Sequence, residues 1–259
     1  MTVGALTVHV DAEGLVRFLR TDDLGELLAE ERAHFWWPGS RLYTAVGNGH
    51  HRLEQRFAAY DDERLFGLGQ HQHGRFDQKG LVLDLVQRNA EVTVPVLSSS
   101  RGYTLLWNNP AIGRVELAGN GTRWVADSAR QIDYWITAGT PADGQRRYSA
   151  VTGRTPMLPE WAAGFWQCKL RYRTQDELLA VAREYKRRGL PLSAIVCDFF
   201  HWTHLGEWRF DPNEWPDPAA MVRELDELGV KLVVSVWPSV SPLSENHPVM
   251  EQRGYFIGT

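Results

Sequence analysis

Two cysteines in 259 residues cannot staple a fold, and Cys168 and Cys197 fit neither a metal-type nor a redox CxxC spacing. The plain reading is a pair of free, buried thiols in a reducing compartment. No stretch approaches the ~20 apolar residues of a membrane span, and no basic segment leads into an apolar run at the N-terminus. A cytoplasmic location without a membrane partner is therefore expected. Positive charge is not in excess either: the formal net charge is -4, and Lys186-Arg187-Arg188 reads as the last turn of a helix. Nucleic acid and anionic lipid are excluded as partners on that basis. No nucleophile elbow or phosphate-cradling loop occurs, and Gly67, Gly69 and Gly74 have the wrong spacing for a dinucleotide fingerprint. His71 and His73, like His201 and His204, are closely spaced. Neither pair has a carboxylate or cysteine at ligand spacing, so hydrogen-bonding histidines are expected, with no metal and no cofactor.

What is present is an ordinary globular composition, 43% hydrophobic and 23% charged, in a chain long enough for one large domain or two smaller ones. Tryptophan stands out, with 11 residues spread along the chain from Trp36 and Trp37 to Trp237. Indole faces pack against the C–H faces of sugar rings, but tryptophan is also a core residue, and both readings apply. Asn120-Gly121-Thr122 matches a glycosylation acceptor; without a secretory signal it reads as a hairpin turn.

From residue 5 to about 138, short runs rich in Val, Leu, Thr and aromatics alternate with Gly, Asn, Asp and Pro. Strands are predicted over 6–10, 15–19, 81–86, 91–97, 103–107, 114–117 and 132–137, with turns at Asn48-Gly49, Asn108-Asn109-Pro110 and Asn120-Gly121. Many short strands without helical patterns between them predict an antiparallel β-sandwich. Gly153, Pro156 and Pro159 break the chain, and the domain boundary is placed there. A strand over 163–170 follows, then a helix over 174–188 with Thr174 and Glu177 as a capping box and Gly189 as its stop. A near-continuous apolar strand runs over 193–199. A second helix opens on Asp217-Pro218 and closes at Gly229, and a third strand covers 232–237. Alternating strand and helix imply parallel pairing. Three strands cannot close a barrel of eight, so an incomplete (β/α)₈ barrel is favoured over a Rossmann-type sheet, which would need the glycine fingerprint.

In such barrels the polar residues at the C-terminal strand ends do the chemistry. Here those positions hold Lys169 and Arg171, then Asp198, then Trp237. Asp198 is the sharpest signal, a carboxylate closing the apolar run Ala194-Ile195-Val196-Cys197, where an unpaired charge is costly. It serves either as a ligand-binding group or as the partner of an ion pair with Lys169 or Arg171.

The order Gly164-Phe165-Trp166-Gln167-Cys168, Ala194 to Trp202, Gly206-Glu207-Trp208-Arg209-Phe210-Asp211-Pro212 and Trp215-Pro216-Asp217-Pro218 resembles the opening of a glycoside hydrolase family 31 barrel. Leu65 to Gln70 and Phe76-Asp77-Gln78-Lys79-Gly80 resemble that family's N-terminal sandwich and a loop that reaches toward its substrate pocket. The resemblance implies a galactose-mutarotase-like β-sandwich over 1–155 and the first part of the catalytic barrel over 156–259. It implies a retaining α-glycosidase acting on oligosaccharides or α-xylosides, with a transglycosylase or a non-catalytic carbohydrate-binding protein as alternatives. An oligomer is compatible with it. Asp198 would bind sugar hydroxyls, and Phe200, His201, Trp237, Phe76 and Asp77 would line the site. The two catalytic carboxylates, about 5–5.5 Å apart in retaining enzymes, would come from later strands, beyond Thr259, so no catalytic residue is assigned here. Members acting on glucosides often carry a second aspartate two places after the one matching Asp198; Phe200 stands there, which leans toward α-xylosides. The expressed 259-residue chain is accordingly expected to hydrolyse nothing by itself. Turnover of an aryl α-xyloside or α-glucoside that Asp198→Ala abolishes would contradict this.

Overall fold

The computed structural model describes residues 1–32, 35 and 39–257; Trp36 and Trp37 of the tryptophan series lie outside the described residues. The protein is mostly sheet and divides into two compact units, Met1–Thr155 and Pro156–Thr259.

The first unit opens with a four-stranded antiparallel meander of β1 (Thr2–Val3), β2 (Leu6–Val10), β3 (Val16–Arg20) and β4 (Glu26–Ala29). There follow β5 (Arg41–Gly47), β6 (His50–Phe57), β7 (Leu65–Gln70), β8 (Val82–Leu85), β9 (Val92–Ser99) and β10 (Tyr103–Trp107). The unit ends with β11 (Gly113–Ala118), β12 (Gly121–Ala129), β13 (Tyr134–Ala138) and a helix, α1 (Pro141–Thr152). They form a five-stranded sheet of order β5-β6-β12-β11-β8 and a four-stranded sheet of order β13-β10-β9-β7. One buried cluster draws on all three sheets: Phe18 and Leu28 from the meander, Leu53, Phe57, Leu117 and Trp124 from the second sheet, Leu68, Leu97, Leu105 and Trp107 from the third. Alternation of apolar and polar side chains along these strands sends one face of each into that core.

Asn48 and Gly49 connect β5 to β6 with φ of 52° and 72°, the pair of left-handed residues that a type I′ hairpin needs. The second predicted hairpin turns one residue early, at Gly119-Asn120, because Ala118 pairs with Gly121. Helix α1 corrects the expectation of an all-strand first half. Its signal was legible: Thr140 accepts from the Asp143 N–H, Asp143 takes the Thr140 N–H in return, and Pro141 stands at the first position.

The second unit carries β14 (Trp166–Gln167), α2 (Gln175–Arg187), β15 (Ala194–Cys197), α3 (Pro218–Glu227), β16 (Lys231–Val234) and the short α4 (His247–Gln252). The three strands pair in parallel in the order β14-β15-β16, with Gln167 opposite Ile195 and Cys197 opposite Val234. All are shorter than predicted: β14 keeps two residues of the expected 163–170, following a 3₁₀ turn at Glu160–Ala163, and β16 stops three residues before Trp237. Thr174 caps α2 through the Glu177 N–H, but the capping box is half-formed, since the Glu177 carboxylate takes the Arg173 N–H and Lys169 instead. Leu178, Leu179 and Ala182 of α2 and Met221 and Leu225 of α3 bury themselves on Ile195 and Cys197 of β15. Burying Leu225 supplies transfer and packing energy that truncation removes, so Leu225→Ala should cost about 2–5 kcal/mol. Urea unfolding of the chain checks this.

Candidate functional site at the strand ends

Parallel pairing brings the C-terminal ends of β14, β15 and β16 to one side of the sheet. Ile195 and Cys197 face the helices, so the two-residue period of β15 sends Ala194, Val196 and the next such position, Asp198, to the opposite face. Asp198 forms no ion pair among the described residues: Lys169 bonds Glu177 at 2.6 Å, and Arg171 lies 3.6 Å from Glu214. Its Oδ1 accepts the Phe199 N–H at 2.8 Å, and its Oδ2 lies 3.8 Å from the Cys168 thiol. The carboxylate is only partly buried, and its remaining lone pairs are open to a hydroxyl donor.

Two aromatic residues follow it directly, and their rings cluster with others. Phe199 stacks on Trp237 with centroids 5.4 Å apart and planes at 11°, and Phe200 meets Phe199 at 4.6 Å, Trp202 at 6.0 Å and Trp237 at 6.3 Å. Trp237 and Phe200 are 42% and 43% exposed, leaving ring surface free. The Trp208 indole N–H donates to the Trp237 carbonyl at 3.0 Å, tying the loop after β15 to the segment after β16. Asn246 reinforces the tie by donating to the Gly206 carbonyl, where φ is +93° and an added Cβ would strike Val240. A cleft of about 440 Å³ opens beside the Phe199 and Phe200 rings, lined also by Lys169, Leu170, Arg171, Arg173 and Glu177, while Asp198 and Trp237 lie outside its lining.

His201 is placed differently from the rest. Its ring is 2% exposed, its Nδ1–H donates to the Asp198 carbonyl at 3.1 Å, and it packs between Trp202 and Phe210. Burial holds its pKa below the ordinary histidine value, so the ring is neutral and serves the turn that carries Asp198. Phe76 and Asp77 belong to the first unit. Phe76 is 83% exposed and leans on Phe66 at 4.8 Å, whereas Asp77 Oδ1 accepts the N–H groups of Leu65 and Lys79. Burial pushes the Asp77 carboxyl up, those two N–H groups pull it down, and the balance lies below its usual range. His71 and His73 stack at 5.7 Å, and among the described residues no three of His, Cys, Asp and Glu converge as a metal would require. No helix among the described residues is long and apolar enough to cross a membrane.

The tryptophans divide between the two readings. Trp107, Trp124 and Trp215 are core, while Trp166, Trp208 and Trp237 are exposed. Sequence reasoning did not single out Phe199, whose ring forms the stack with Trp237. A Phe-Phe-His-Trp run directly after a strand-end aspartate was the available signal.

Residues 155–259 match the family profile described as the glycosyl hydrolases family 31 TIM-barrel domain. The uncharacterized family 31 glucosidase ORF2 of Pseudescherichia vulneris is 50% identical over 218 residues, 84% of this chain and 41% of that protein. The chain belongs to glycoside hydrolase family 31. Alpha-xylosidase A of Aspergillus niger is 36% identical over 245 residues, 93% of this family 31 chain and 32% of its own length. A family 31 α-xylosidase from a soil metagenome, crystallised with xylose, superposes with a TM-score of 0.93 at 46% identity, over 98% of this chain and 40% of that one. The chain thus spans about two fifths or less of the length of these relatives.

The Cys168 thiol corrects the expectation that both cysteines are buried, because it is exposed at the end of β14 whereas Cys197 is enclosed. Burial, then the Asp198 charge and its hydrogen bond, push the Cys168 thiol above its ordinary value; burial pushes Cys197 up to about 12. A neutral side chain at 198 removes the repulsion that opposes the Cys168 thiolate. Asp198→Asn should therefore lower the Cys168 pKa and speed its alkylation by iodoacetamide at a fixed pH near 8, with Cys197 unreactive. An unchanged rate–pH profile would contradict the contact.

Proposed function

We propose that this chain forms the sugar-facing front of a retaining α-glycosidase that hydrolyses α-xylosidic bonds in oligosaccharides. The observation that carries the reading is Asp198: a carboxylate at a barrel-type strand end, without an ion pair among the described residues and followed directly by Phe199 and Phe200, whose rings pack on Trp237. Aromatic faces supply the apolar contact that a pyranose C–H face seeks, and the open carboxylate oxygens accept its hydroxyls. On this reading the three sheets of the first unit make a galactose-mutarotase-like β-sandwich, and β14 to β16 with their helices open a (β/α)₈ barrel. Its nucleophile and acid/base carboxylates are supplied by later strands. The apolar residue at position 200 and the α-xylosidases among the relatives support the xyloside preference. Two unpaired thiols fit a cytoplasmic enzyme. His201 supports the subsite through the backbone of Asp198, and Phe76 offers an exposed ring for a sugar.

An apolar ring at position 200 leaves the hydroxymethyl group of a glucoside without a partner, a loss that a xyloside, lacking that group, does not suffer. Phe200 has φ of 59°, the left-handed region that aspartate tolerates better than phenylalanine, so aspartate carries the smaller backbone penalty there. In the intact enzyme, Phe200→Asp should improve glucoside kcat/KM relative to xyloside by ~1–3 kcal/mol. An unchanged ratio, with both substrates depressed alike, would reduce Phe200 to a packing residue.

A further inference from the structure

Phe200 occupies a backbone conformation that a bulky residue adopts only when its surroundings impose it. The loop after β14 supplies the restraint. Arg171 Nη1 donates to the Phe200 carbonyl at 3.1 Å, and its guanidinium lies over the Phe200 ring, 6.0 Å from the centroid. The same Nη1 lies 3.6 Å from Glu214. Glu214 is anchored in turn, its N–H donating to the Asp211 carbonyl and its own carbonyl accepting from Gln175 at the start of α2, while the Asp211 N–H donates to the His201 carbonyl. One guanidinium thus grips the main chain and the ring of a single residue, and a carboxylate from the far end of the same loop holds the guanidinium. The five rigid donors of arginine suit a fork of this kind; the point charge of lysine serves it only in part.

We infer that Arg171 is a positioning residue for substrate discrimination: it clamps Phe200 in the left-handed turn and so fixes the ring that stands where a glucoside's hydroxymethyl group would enter. The inference rests on the reading of Phe200 as a wall of the glycone subsite. Without the clamp, the backbone at 200 relaxes toward an ordinary φ, and the ring swings with it. Space then opens beside the sugar, and glucosides gain relative to xylosides.

The test measures kcat/KM for an aryl α-xyloside and an aryl α-glucoside in the intact enzyme. Arg171→Met should lower the xyloside-to-glucoside ratio about tenfold. Arg171→Lys, which keeps a donor for the carbonyl, should retain most of the ratio, and Arg171→Gln repeats the measurement if the methionine variant does not fold. With Phe200→Gly, where no ring remains to be held, adding Arg171→Met should leave the ratio where glycine has set it. A purely structural arginine would lower both rates together in either background. An unchanged ratio in Arg171→Met and Arg171→Gln, or an equal fall in the glycine background, overturns the clamp. If the wild-type enzyme turns over both substrates alike, the specificity reading of Phe200 fails and the clamp with it. If it prefers the xyloside and Phe200→Asp shifts the ratio while Arg171→Met does not, the clamp alone fails.

Discussion

The packing of Ile195 and Cys197 on α2 and α3 is the constraint on which the strand-end site depends. A strand has only two faces, so committing alternate residues of β15 to the helices commits Ala194, Val196 and Asp198 to the other. A slip of one residue would put the carboxylate among Leu178, Met221 and Leu225, where an ion without a partner costs several kcal/mol. The helices that cover the sheet therefore also select which side chain emerges at its end. Parallel register with β14 and β16 then gathers Cys168, Asp198 and the segment leading to Trp237 on one side.

Much of this arrangement was legible in the sequence because it is written in local chemistry. The unbroken apolar run before Asp198, the Thr174 and Asp217 caps and the glycine stop at 189 each act within a few residues, and each stands where it was read. Helix α1, in the stretch left unassigned between residue 138 and Gly153, was missed despite an equally local signal, and it carries a glycine, Gly144, in its first turns. The structure explains that glycine: a Cβ there would come within 2.2 Å of the Thr104 hydroxyl, so its absence lets the helix lie close on β10. Strand ends were over-extended at β14 and β16 for a different reason. Apolar residues continue past the last ladder bond, Leu170 after β14 and Val236 and Trp237 after β16, and stay largely exposed, so hydrophobicity alone does not mark where pairing stops.

What the sequence could not disclose was pairing over distance. Lys169 and Arg171 were the obvious counter-ions for Asp198, yet the cations chose Glu177 and Glu214, eight and 43 positions away from them. The long loop between β15 and α3 makes this possible. Its aromatic residues, Phe210 and Trp215 with His201, meet at ring distances of 4.9 Å and 5.5 Å and join the core formed by β15, α2 and α3, a core that the loop thereby shares. A loop anchored in that core holds a defined shape, and so can present Glu214 to Arg171 and the Trp208 N–H to the Trp237 carbonyl.

The two aspartates of the predicted site, both partly buried, differ in how much of their hydrogen-bonding capacity the backbone uses. Asp77 directs a single oxygen at two backbone N–H groups and closes the turn between β7 and β8, the role that a short acidic side chain commonly plays in a loop. Asp198 has one backbone N–H and one weak thiol donor, a supply far short of what a carboxylate withdrawn from water requires. It tolerates that shortage because it is partly open to solvent, and a ligand that covered it would have to replace the water it displaces. In the proposed subsite, a polyhydroxylated ring would bring hydroxyl donors, and its C–H face would meet the rings of Phe199, Phe200 and Trp237. On the proposed reading, the incomplete hydrogen bonding of Asp198 and the exposed rings of the segments around it are two halves of one demand, which a sugar would meet at once.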